Sequence, residues 1–388
     1  MRFPEFKGEW TKFTASSFLK TFSTNSLTWD QLNYSSGQIK DIHYGLIHSQ
    51  FTQTLVDLRK VKIPFVNHGI QIKNYTSIKL GDLILADASE DTNEIGQPIE
   101  FTNIPKDGTI ILGLHTIHCR DIKNLTVKGF KAFLFKSKSV KHRLYSLAEG
   151  TKIYSISPST LNEIDLFIPK AEEQTKIASL LSTLEKKIDI QRKTIEDLET
   201  LRDSTEENAI NKFVQSWIPL KQAVIMGKIK LKRGNIIPKH SKDESFIYPV
   251  YSSSSQKNGL MGWSNKYRFN EELITWSIDG GGKFFYRSKH KFNVTNVCGI
   301  LEADTTEFDY RFLVSALLQQ WRRNRFDYQS KAHPSVIETI YKIPIVSKEK
   351  QVICSKLFKD IDNLIEKERD KLNEDIKLKK YLLSSLFI

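Results

Sequence analysis

The sequence predicts an α+β fold. Two globular mixed α/β segments are joined by two long helices that form an antiparallel coiled coil, and the whole is a pseudo-two-fold repeat. Three observations predict this architecture: two stretches carry heptad spacing, the second echoes the first at a constant offset, and short β-type runs precede the stretches. The predicted boundaries are 1–168 and 213–342 for the globular segments, and 169–212 and 343–388 for the helices.

The first globular segment contains short β-type runs separated by turn-forming clusters, and a helix is predicted at 138–148. The runs are 62–66, 70–75, 82–86, 109–114 and 130–135. Two polar stretches, 34–45 and 80–96, stand out. In the second, a buried strand is predicted to run into a loop of Asp, Ser, Thr and Asn, which can offer hydrogen bonds to base edges. Taken alone, that pattern is more typical of an ordinary solvated loop.

The first helix is predicted over residues 172–211 because its apolar residues alternate in steps of four and three. These residues are Ile177, Leu181, Leu184, Ile188, Ile195 and Leu198. Forty residues at 1.5 Å each give a length of roughly 60 Å. A helix of that length with a heptad stripe needs a partner, and the partner available within the chain is the second copy.

The second helix repeats the apolar stripe of the first at an offset of 177 residues. The repeated positions are Cys354, Phe358, Ile361, Ile365 and Leu372. The polar interruption is repeated as well, as Gln191 and Glu368. At the end the stripe shifts, because Leu198 corresponds to Asp375 and the apolar residues move to Ile376 and Leu383. Since each helix follows its own globular segment, the two can pair antiparallel.

Length and composition describe a folded protein of two or three domains, with 388 residues, 39% hydrophobic and 11% aromatic. No run of eighteen apolar residues exists, and the first ten residues lack an apolar signal core. The three cysteines are far apart in sequence, which argues against a disulfide framework. A cytoplasmic location is therefore expected.

The net charge of +13 is concentrated in the second globular segment, where 20 Lys and Arg face 11 Asp and Glu between residues 213 and 342. A basic domain favours a polyanionic partner, and nucleic acid is the commonest one. Cations also alternate with aromatics between residues 257 and 291, which suits a surface that follows phosphates. A sheet with one buried and one charged face predicts the same alternation.

No reaction centre is predicted in this chain. The Asp279–Lys283 glycine run is not a phosphate loop, because Ser277 and Phe284 stand where that motif needs glycine and Ser or Thr; a tight turn is expected instead. His115 and His118 point to opposite faces of a predicted strand, so a metal site is not expected. Hydrolase, dinucleotide and methyltransferase motifs are also missing from the sequence. These observations favour a binding module without a metal or cofactor of its own.

The repeated pattern resembles the specificity (S) subunit of type I restriction-modification systems. The motifs that carry the resemblance are Ile168-Pro169 with Glu173-Gln174 and Ile177-Ala178, their echo at Ile343-Pro344 with Gln351, Leu80-Gly81-Asp82-Leu83, and Tyr248-Pro249-Val250-Tyr251. The second copy departs from the first, since Lys350-Gln351 is followed by Val352-Ile353-Cys354. The spacing is nevertheless kept.

The resemblance implies that each globular segment is a target recognition domain for one half of a bipartite DNA site, with the paired helices as spacer. It also implies two methyltransferase (M) subunits bound along the helices, and two restriction/translocase (R) subunits that can join. S-adenosylmethionine, ATP and Mg²⁺ would be handled by those partners. A rod of roughly 60 Å could separate the half-sites by at most about eighteen base pairs of 3.4 Å.

The candidate DNA-binding residues are polar side chains of predicted loops and turns. In the first segment they are Lys40, His43, Lys73, Asn74, Ser89, Asn93 and Arg143. In the second they are Lys257, Asn258, Lys266, Arg268, Lys283, Arg287 and Lys331. Lys and Arg are expected to position phosphates, and Asn, Ser and His to read base edges. An ordinary solvated surface is an equally good interpretation for any single residue.

Two other functions remain open on sequence grounds. A coiled-coil adaptor with basic domains that bind protein or RNA would show the same repeat and charge. A self-contained nuclease or methylase with an unrecognised site would show activity as the purified chain alone.

Overall fold

The computed structural model describes residues 2–72, 75–91, 94–237, 246–254, 257–324 and 331–387, except for the side chain of Lys257. The chain divides into two compact units. The first unit is Met1–Thr194 together with Arg369–Ile388, and the second is Ile195–Glu368. Each unit contains one globular segment and part of both long helices.

The described residues of the first unit form four small sheets and three short α-helices besides the long ones. Its strands are β1 (Thr11–Thr14), β2 (Leu19–Phe22), β3 (Leu32–Asn33), β4 (Ile39–Ile42), β5 (Leu55–Asp57), β6 (Phe65–Val66), β7 (Leu83–Ala86), β8 (Ala88–Ser89), β9 (Pro98–Asn103), β10 (Thr109–Leu112), β11 (Thr116–Asp121), β12 (Tyr154–Ser155) and β13 (Asp165–Ile168). The sheet orders are β2-β11-β7-β9-β5, β10-β4-β6-β3, β12-β8 and β1-β13. The helices are α1 (Tyr44–Ser49), α2 (Phe130–Lys136) and α3 (Lys138–Ser146), followed by the first part of α4 (Ala171–Phe213).

The five-stranded sheet is covered on both faces, and its central strand β7 shows why. Leu83 and Leu85 pack into one core cluster with the phenylalanines of α2, whereas Ile84 and Ala86 pack into a second cluster. Because successive side chains of a strand point to opposite faces, a strand buried on both sides reads as a continuous apolar run. The prediction of a buried strand at 82–86 is confirmed.

The prediction of a strand at 130–135 is wrong, because this run forms helix α2. The helix begins at a buried carboxylate: Glu100 of β9 accepts hydrogen bonds from the backbone N–H of Gly129 at 2.7 Å and of Ala132 at 3.4 Å. Lys131 neutralises the same carboxylate at 3.0 Å. Gly129 supplies the required left-handed backbone with φ of 88°. A negative charge at a helix N-terminus is favourable, and it comes from a distant strand.

The second unit is organised around one six-stranded sheet. Its strands are β14 (Ser216–Pro219), β15 (Ile229–Arg233), β16 (Tyr248–Tyr251), β17 (Leu260–Ser264), β18 (Phe269–Ser277), β19 (Phe284–Val294), β20 (Cys298–Ala303) and β21 (Lys342–Ile345). The sheet order is β15-β20-β18-β19-β16-β17, and β14 pairs with β21. The helices are α5 (Leu220–Ile225), α6 (Tyr310–Arg323), α7 (Pro334–Ile340) and the first part of α8 (Lys348–Ser385).

The triple glycine forms the turn between β18 and β19, as predicted. Gly281 and Gly282 have φ of 84° and 71°, values that residues with a Cβ rarely adopt. The backbone N–H of Gly282 donates to the carbonyl of Ser277 at 3.1 Å.

The repeat is visible in how each globular segment closes. In the first unit β1 pairs antiparallel with β13, the strand that precedes α4. In the second unit β14 pairs antiparallel with β21, the strand that precedes α8. The chain therefore enters and leaves each segment through two adjacent strands.

A buried glutamine repeats at the start of each long helix. In the first unit Gln174 donates to the carbonyls of Leu125 and Pro169, both at 2.9 Å, and accepts from Val127 N–H at 2.8 Å. Its side-chain amide thus joins the helix to the preceding strand and to the loop before α2.

Gln351 makes the same three bonds in the second unit. It donates to the carbonyls of Glu307 at 2.8 Å and Val346 at 2.9 Å, and accepts from Asp309 N–H at 2.9 Å. The glutamine in the motif that the sequence repeats is therefore the joint between helix and globular segment.

The two long helices pair antiparallel within each unit, as predicted. In the first unit Lys187 contacts Asp375 at 2.8 Å, and Glu185 contacts Lys379. In the second unit Arg202 of α4 lies 3.7 Å from Asp362 of α8.

The predicted heptad stripe is buried at most positions, with exposed fractions of 8% or less. These positions are Ile177, Leu181, Leu184, Ile188, Ile195, Cys354, Phe358, Ile361 and Ile365. Leu198 and Leu372 are half-buried. Among the described residues, no helix is both long enough and apolar enough to cross a bilayer.

Candidate nucleic-acid interface

In the first unit, the candidates Lys40 and His43 lie on and just after strand β4. Lys40 is half-buried, and its ammonium group lies 5.1 Å from the centre of the Phe65 ring. His43 is only 3% exposed, and its Nδ1 accepts from Gly45 N–H at 3.1 Å, which caps helix α1. Burial, together with the nearby charge of His115, lowers the pKa of His43. His43 is therefore a neutral, buried residue that fixes the start of helix α1 and does not itself present a charge at the surface.

Two exposed aromatic side chains of the first unit, Trp29 beside His43 and Tyr34 beside Lys62, lie at its surface. The Trp29 ring lies tilted against the His43 ring, with 4.6 Å between centroids, and Trp29 is 46% exposed. Tyr34 is 41% exposed, with the Lys62 ammonium 5.2 Å from its ring centre. Flat rings and a cation at a surface suit contacts to nucleic-acid bases and phosphates. Sequence reasoning missed Trp29 and Lys62 and included Tyr34 only as the first residue of the 34–45 stretch, because the three come from separate stretches with no shared period.

The remaining candidates of the first unit lie on other elements. Ser89 is on β8, and its hydroxyl accepts from Asp91 N–H at 3.1 Å. Arg143 is on α3 and donates to the carbonyl of Glu163 at 3.3 Å. Lys73, Asn74 and Asn93 lie outside the described residues. The structure thus brings Lys40 and His43 together and places Ser89 and Arg143 on different elements.

In the second unit, an exposed patch of cations and aromatics lies at one edge of the six-stranded sheet. We call it the β17 patch, and its members are Tyr248, Lys266, Tyr267, Arg268 and Lys291. Met261 and Trp263 lie on the opposite face of the β16–β17 hairpin, because Trp263 pairs with Pro249 whereas Tyr248 pairs with Ser264. Met261, Trp263 and Tyr267 are 49%, 47% and 42% exposed. The patch therefore contains two of the predicted candidates, Lys266 and Arg268.

Cation–aromatic contacts join Lys291, Tyr267 and Tyr248 within the β17 patch. The Lys291 ammonium lies 4.9 Å from the Tyr267 ring centre and 5.9 Å from that of Tyr248. Arg268 donates to the Asn235 side-chain oxygen at 3.2 Å. Across the part of the chain that the structure describes, Lys266, Arg268 and Lys291 form no ion pair with a carboxylate. Their charge is available to a polyanion.

Arg287, a predicted contact, is buried with an exposed fraction of 1%. It donates through Nε to the Thr275 hydroxyl at 2.9 Å and through a terminal nitrogen to the Asn258 carbonyl at 2.8 Å. Its guanidinium lies 3.7 Å from the Tyr251 ring centre. Burial lowers the pKa of Arg287 to about 10. The residue therefore supports the chain at Asn258 and does not present a surface cation.

Asn258 itself is exposed and has φ of 54°, the left-handed region that asparagine tolerates. The side chain of Lys257 lies outside the described groups. Lys331 is exposed and lies 3.3 Å from Asp279. Lys283 is half-buried between the rings of Phe285 and Trp321, at 5.8 and 5.6 Å. Burial and then the charges of Arg202 and Arg322 lower the pKa of Lys283.

The two histidines considered as metal ligands have different partners and different degrees of burial. His115 is exposed and bonds Asp87 at 3.0 Å. His118 is fully buried, and its Nε2 bonds Asp82 at 2.7 Å, while Arg120 binds the same carboxylate. Burial alone would raise the pKa of Asp82, but the hydrogen bonds from Arg120 and His118 outweigh it and lower that pKa. Among the described residues, no group of three or more His, Cys, Asp or Glu is arranged to hold a metal ion.

A family model described as "Type I restriction modification DNA specificity domain" matches residues 112–200 and 226–378. The chain belongs to this family. The two matched stretches each end in one of the long helices, so the family model follows the repeat. The specificity-domain family is thus the one that the sequence motifs indicate.

Relatives of known description support this assignment over part of the chain. A Mycoplasma pneumoniae protein described as the N-terminus of a type I specificity subunit is 41% identical over 90 residues, which are 22% of this chain and 48% of that protein. The specificity subunit of the Escherichia coli K12 type I restriction enzyme EcoKI is 26% identical over 195 residues, which are 46% and 42% of the two chains. The chain therefore spans less than half the length of either relative.

Solved structures confirm the predicted fold. The S subunit of a type I restriction-modification system from M. genitalium superimposes with a TM-score of 0.62 at 18% identity, over 100% of this chain and 99% of that one. A chain from a structure of type I complex assembly and conformational transition gives a TM-score of 0.57 at 12% identity, over 98% and 97%. At these identities the likeness concerns the fold.

Proposed function

We propose that this specificity-domain protein is the DNA-reading subunit of a type I restriction-modification complex, and that each globular segment reads one half of a bipartite site. The observation that carries the proposal is the family match, which falls once in each globular segment. The proposed target recognition domains are 1–168 and 213–342, and the proposed spacer helices are 169–212 and 343–388. Because the two recognition domains differ in sequence, the half-sites differ.

The β17 patch is the proposed contact surface of the second domain, with Lys266, Arg268 and Lys291 on phosphates and the exposed rings beside them. In the first domain the proposed contacts are Trp29, Tyr34 and the predicted candidate Lys40, with Ser89 of β8 as a separate contact. Phosphate contacts position the protein, whereas base contacts read the sequence.

The proposed partners are two methyltransferase subunits and, for restriction, two restriction/translocase subunits. An uncovered apolar row on α8 supports docking of a partner helix: Ile353, Leu357 and Leu364 lie on one face and are 70%, 50% and 51% exposed. S-adenosylmethionine, ATP and Mg²⁺ would act in those partners, and this chain would contribute specificity without a reaction of its own.

A charge-reversal pair tests the contact surface. In complex with its methyltransferase, the Lys266→Glu variant should bind its DNA site at least about tenfold more weakly, and the slope of log affinity against log salt should fall by about one. Lys230→Glu is the matched control, because Lys230 is an exposed cation on β15, at the opposite edge of the same sheet. Equal losses in both variants would show that the patch has no special role.

The alternative functions make different predictions for the same preparations. An adaptor would bind its partner without a preference for a bipartite DNA sequence. A self-contained nuclease or methylase would act on DNA as the isolated chain. Methylation mapping in a host that carries this gene with its methyltransferase therefore tests the proposed function directly.

A further inference from the structure

In the first unit, the faces of three helices enclose a cavity of about 660 Å³. Each helix contributes residues at spacings of three and four, which lie on one face of a helix. Helix α3 contributes Lys138, Lys141, His142 and Tyr145, and the other walls come from α4, α8, Thr52 and Lys136 of α2. A volume of this size is typical of small-molecule sites.

The Glu185 carboxylate lies at the bottom of the cavity and accepts hydrogen bonds from within the protein. Glu185 is 3% exposed and accepts from the N–H and the hydroxyl of Thr54 at 2.7 and 2.6 Å. Lys379 also contacts Glu185, and the Lys136 ammonium lies 3.6 Å from it while donating to the Thr54 hydroxyl at 2.8 Å. Two lysines thus offset one carboxylate.

The second carboxylate of the cavity is also engaged. Asp189 accepts from the Thr52 hydroxyl at 3.0 Å and from the Gln53 amide at 3.1 Å. The rim then adds Lys138, Lys141, Arg192 and Lys380. Lys141 is partly balanced by the nearby carboxylates of Asp91 and Glu94. The other five cations face only two carboxylates, and a concave site with that surplus attracts an anion.

One wall of the cavity is apolar. Ile188, Ile376 and Leu383 line it, and Tyr145 lies at its side. A bare inorganic anion would leave this wall without a contact. The occupant that satisfies both surfaces carries at least two negative charges and an apolar or aromatic body.

We infer that this cavity binds a phosphorylated small molecule of nucleotide size, with its phosphates on Lys138, Arg192 and Lys380 and its organic part against the apolar wall. The inference goes beyond the proposed function and is independent of it, since it rests only on the first unit's own residues. A concave, half-open site lined by three helices suits a compact ligand better than the extended backbone of a duplex.

Calorimetric titration of the full chain tests this inference, with ATP, AMP and inorganic pyrophosphate as probes in Mg²⁺-free, low-salt buffer. ATP should bind with one-to-one stoichiometry. Pyrophosphate, which lacks the organic part, and AMP, which carries fewer charges, should each bind at least about tenfold more weakly. Tyr145→Ser should weaken ATP while leaving pyrophosphate unchanged.

Charge variants locate the site. Arg192→Glu and Lys380→Glu should each weaken ATP binding at least about tenfold, whereas Lys377→Glu should not, because Lys377 is exposed on the same helix but does not line the cavity. Should a reversal prevent folding, as judged by circular dichroism, Arg192→Gln and Lys380→Gln replace it with a smaller expected loss.

Three outcomes would overturn the inference. The first is no binding of any probe at millimolar concentration. The second is an equal loss with Lys377→Glu, which would indicate unspecific attraction. The third is that Arg192→Glu and Lys380→Glu weaken only the binding of a DNA duplex or of an acidic peptide, which would assign the cavity to a macromolecule. None of these outcomes decides whether the protein reads a bipartite site, which methylation mapping tests separately.

Discussion

At the scale of single residues, several charged groups are buried for positioning. Asp41 on β4 is fully buried and accepts from the Asn25 amide at 2.5 Å. A Cβ added at Gly113 would lie 2.2 Å from the other Asp41 oxygen, so glycine is required there. Burial raises the pKa of Asp41 to about 6, and the hydrogen bond from Asn25 offsets this only in part. The ionised carboxylate therefore destabilises the folded first unit.

This burial gives Asp41→Asn a pH-dependent effect. When the pKa of a carboxyl group is raised on folding, the free energy of unfolding of the protein falls as pH rises from about 4 to about 6. The asparagine variant lacks that loss, so its stability relative to the wild type should rise by about 2 kcal/mol between pH 4.5 and 7.5. Urea unfolding at the two pH values measures the difference.

Asp57→Asn is the control for that experiment. The hydrogen bond from Arg59 lowers the pKa of Asp57 to about 2, so its titration ends below pH 4. The stability difference between this variant and the wild type should stay constant from pH 4.5 to 7.5. A constant difference for Asp41→Asn as well would contradict the role of burial.

At the scale of elements, the glutamine joints decide how each long helix is fixed. Replacing Gln174 or Gln351 by leucine leaves two carbonyls and one N–H without their partner. We expect each variant to lose about 2–4 kcal/mol of unfolding free energy in the unit concerned. Denaturant midpoints followed by far-ultraviolet circular dichroism measure the loss.

Gln191→Leu is the matched control on the same helix. Gln191 is 7% exposed, and its side-chain oxygen has no hydrogen-bond partner among the described residues. Leucine there removes an unsatisfied buried oxygen from the heptad stripe, so the variant should be neutral or slightly stabilised. A loss as large as that of Gln174→Leu would mean that any polar-to-apolar change in α4 is harmful.

Elements with a long period could be predicted from the sequence, and elements that depend on distant residues could not. The heptad stripe from Ile177 to Ile195 was enough to predict helix α4 and its pairing with the second long helix, α8. Residues 130–135 were misassigned because Glu100, thirty residues away, starts the helix that they form. The sequence shows that Gln174 belongs to a repeated motif. Its three backbone hydrogen-bond partners could not be predicted, because they depend on how the helix packs on the globular segment.

The candidate interface was predictable only where cations and aromatics alternate along one strand region. That signal led to Lys266 and Arg268 in the β17 patch. It failed for Arg287, because a cation within a strand can point to either face, and this one points inward. It also missed Trp29, which reaches the surface near His43 from a separate loop.

At the scale of the whole molecule, the proposed spacer role makes a length prediction. Insertion of one matched heptad into each helix, after Thr194 and after Glu368, adds about 10 Å at 1.5 Å per residue. The tolerated gap should widen by about three base pairs of 3.4 Å, and both half-sites should stay unchanged. Methylome sequencing of a host with the variant and its methyltransferase measures the gap.

A heptad inserted into only one helix is the control, because it shifts the pairing register along half of the coiled coil and should abolish methylation. A methylome that keeps the original gap after the matched insertion would refute the spacer role.

The pairing of first and last strands has a genetic consequence. Because β1 pairs with β13 and β14 pairs with β21, each globular segment begins and ends at the same place beside a long helix. Recombination within the two paired strands could exchange all the residues between them as one cassette, while the long helices and the glutamines Gln174 and Gln351 stay the same. Under the proposed function, two crossovers, one in each strand of a pair, would give a lineage a new target and leave the helices for its existing partners.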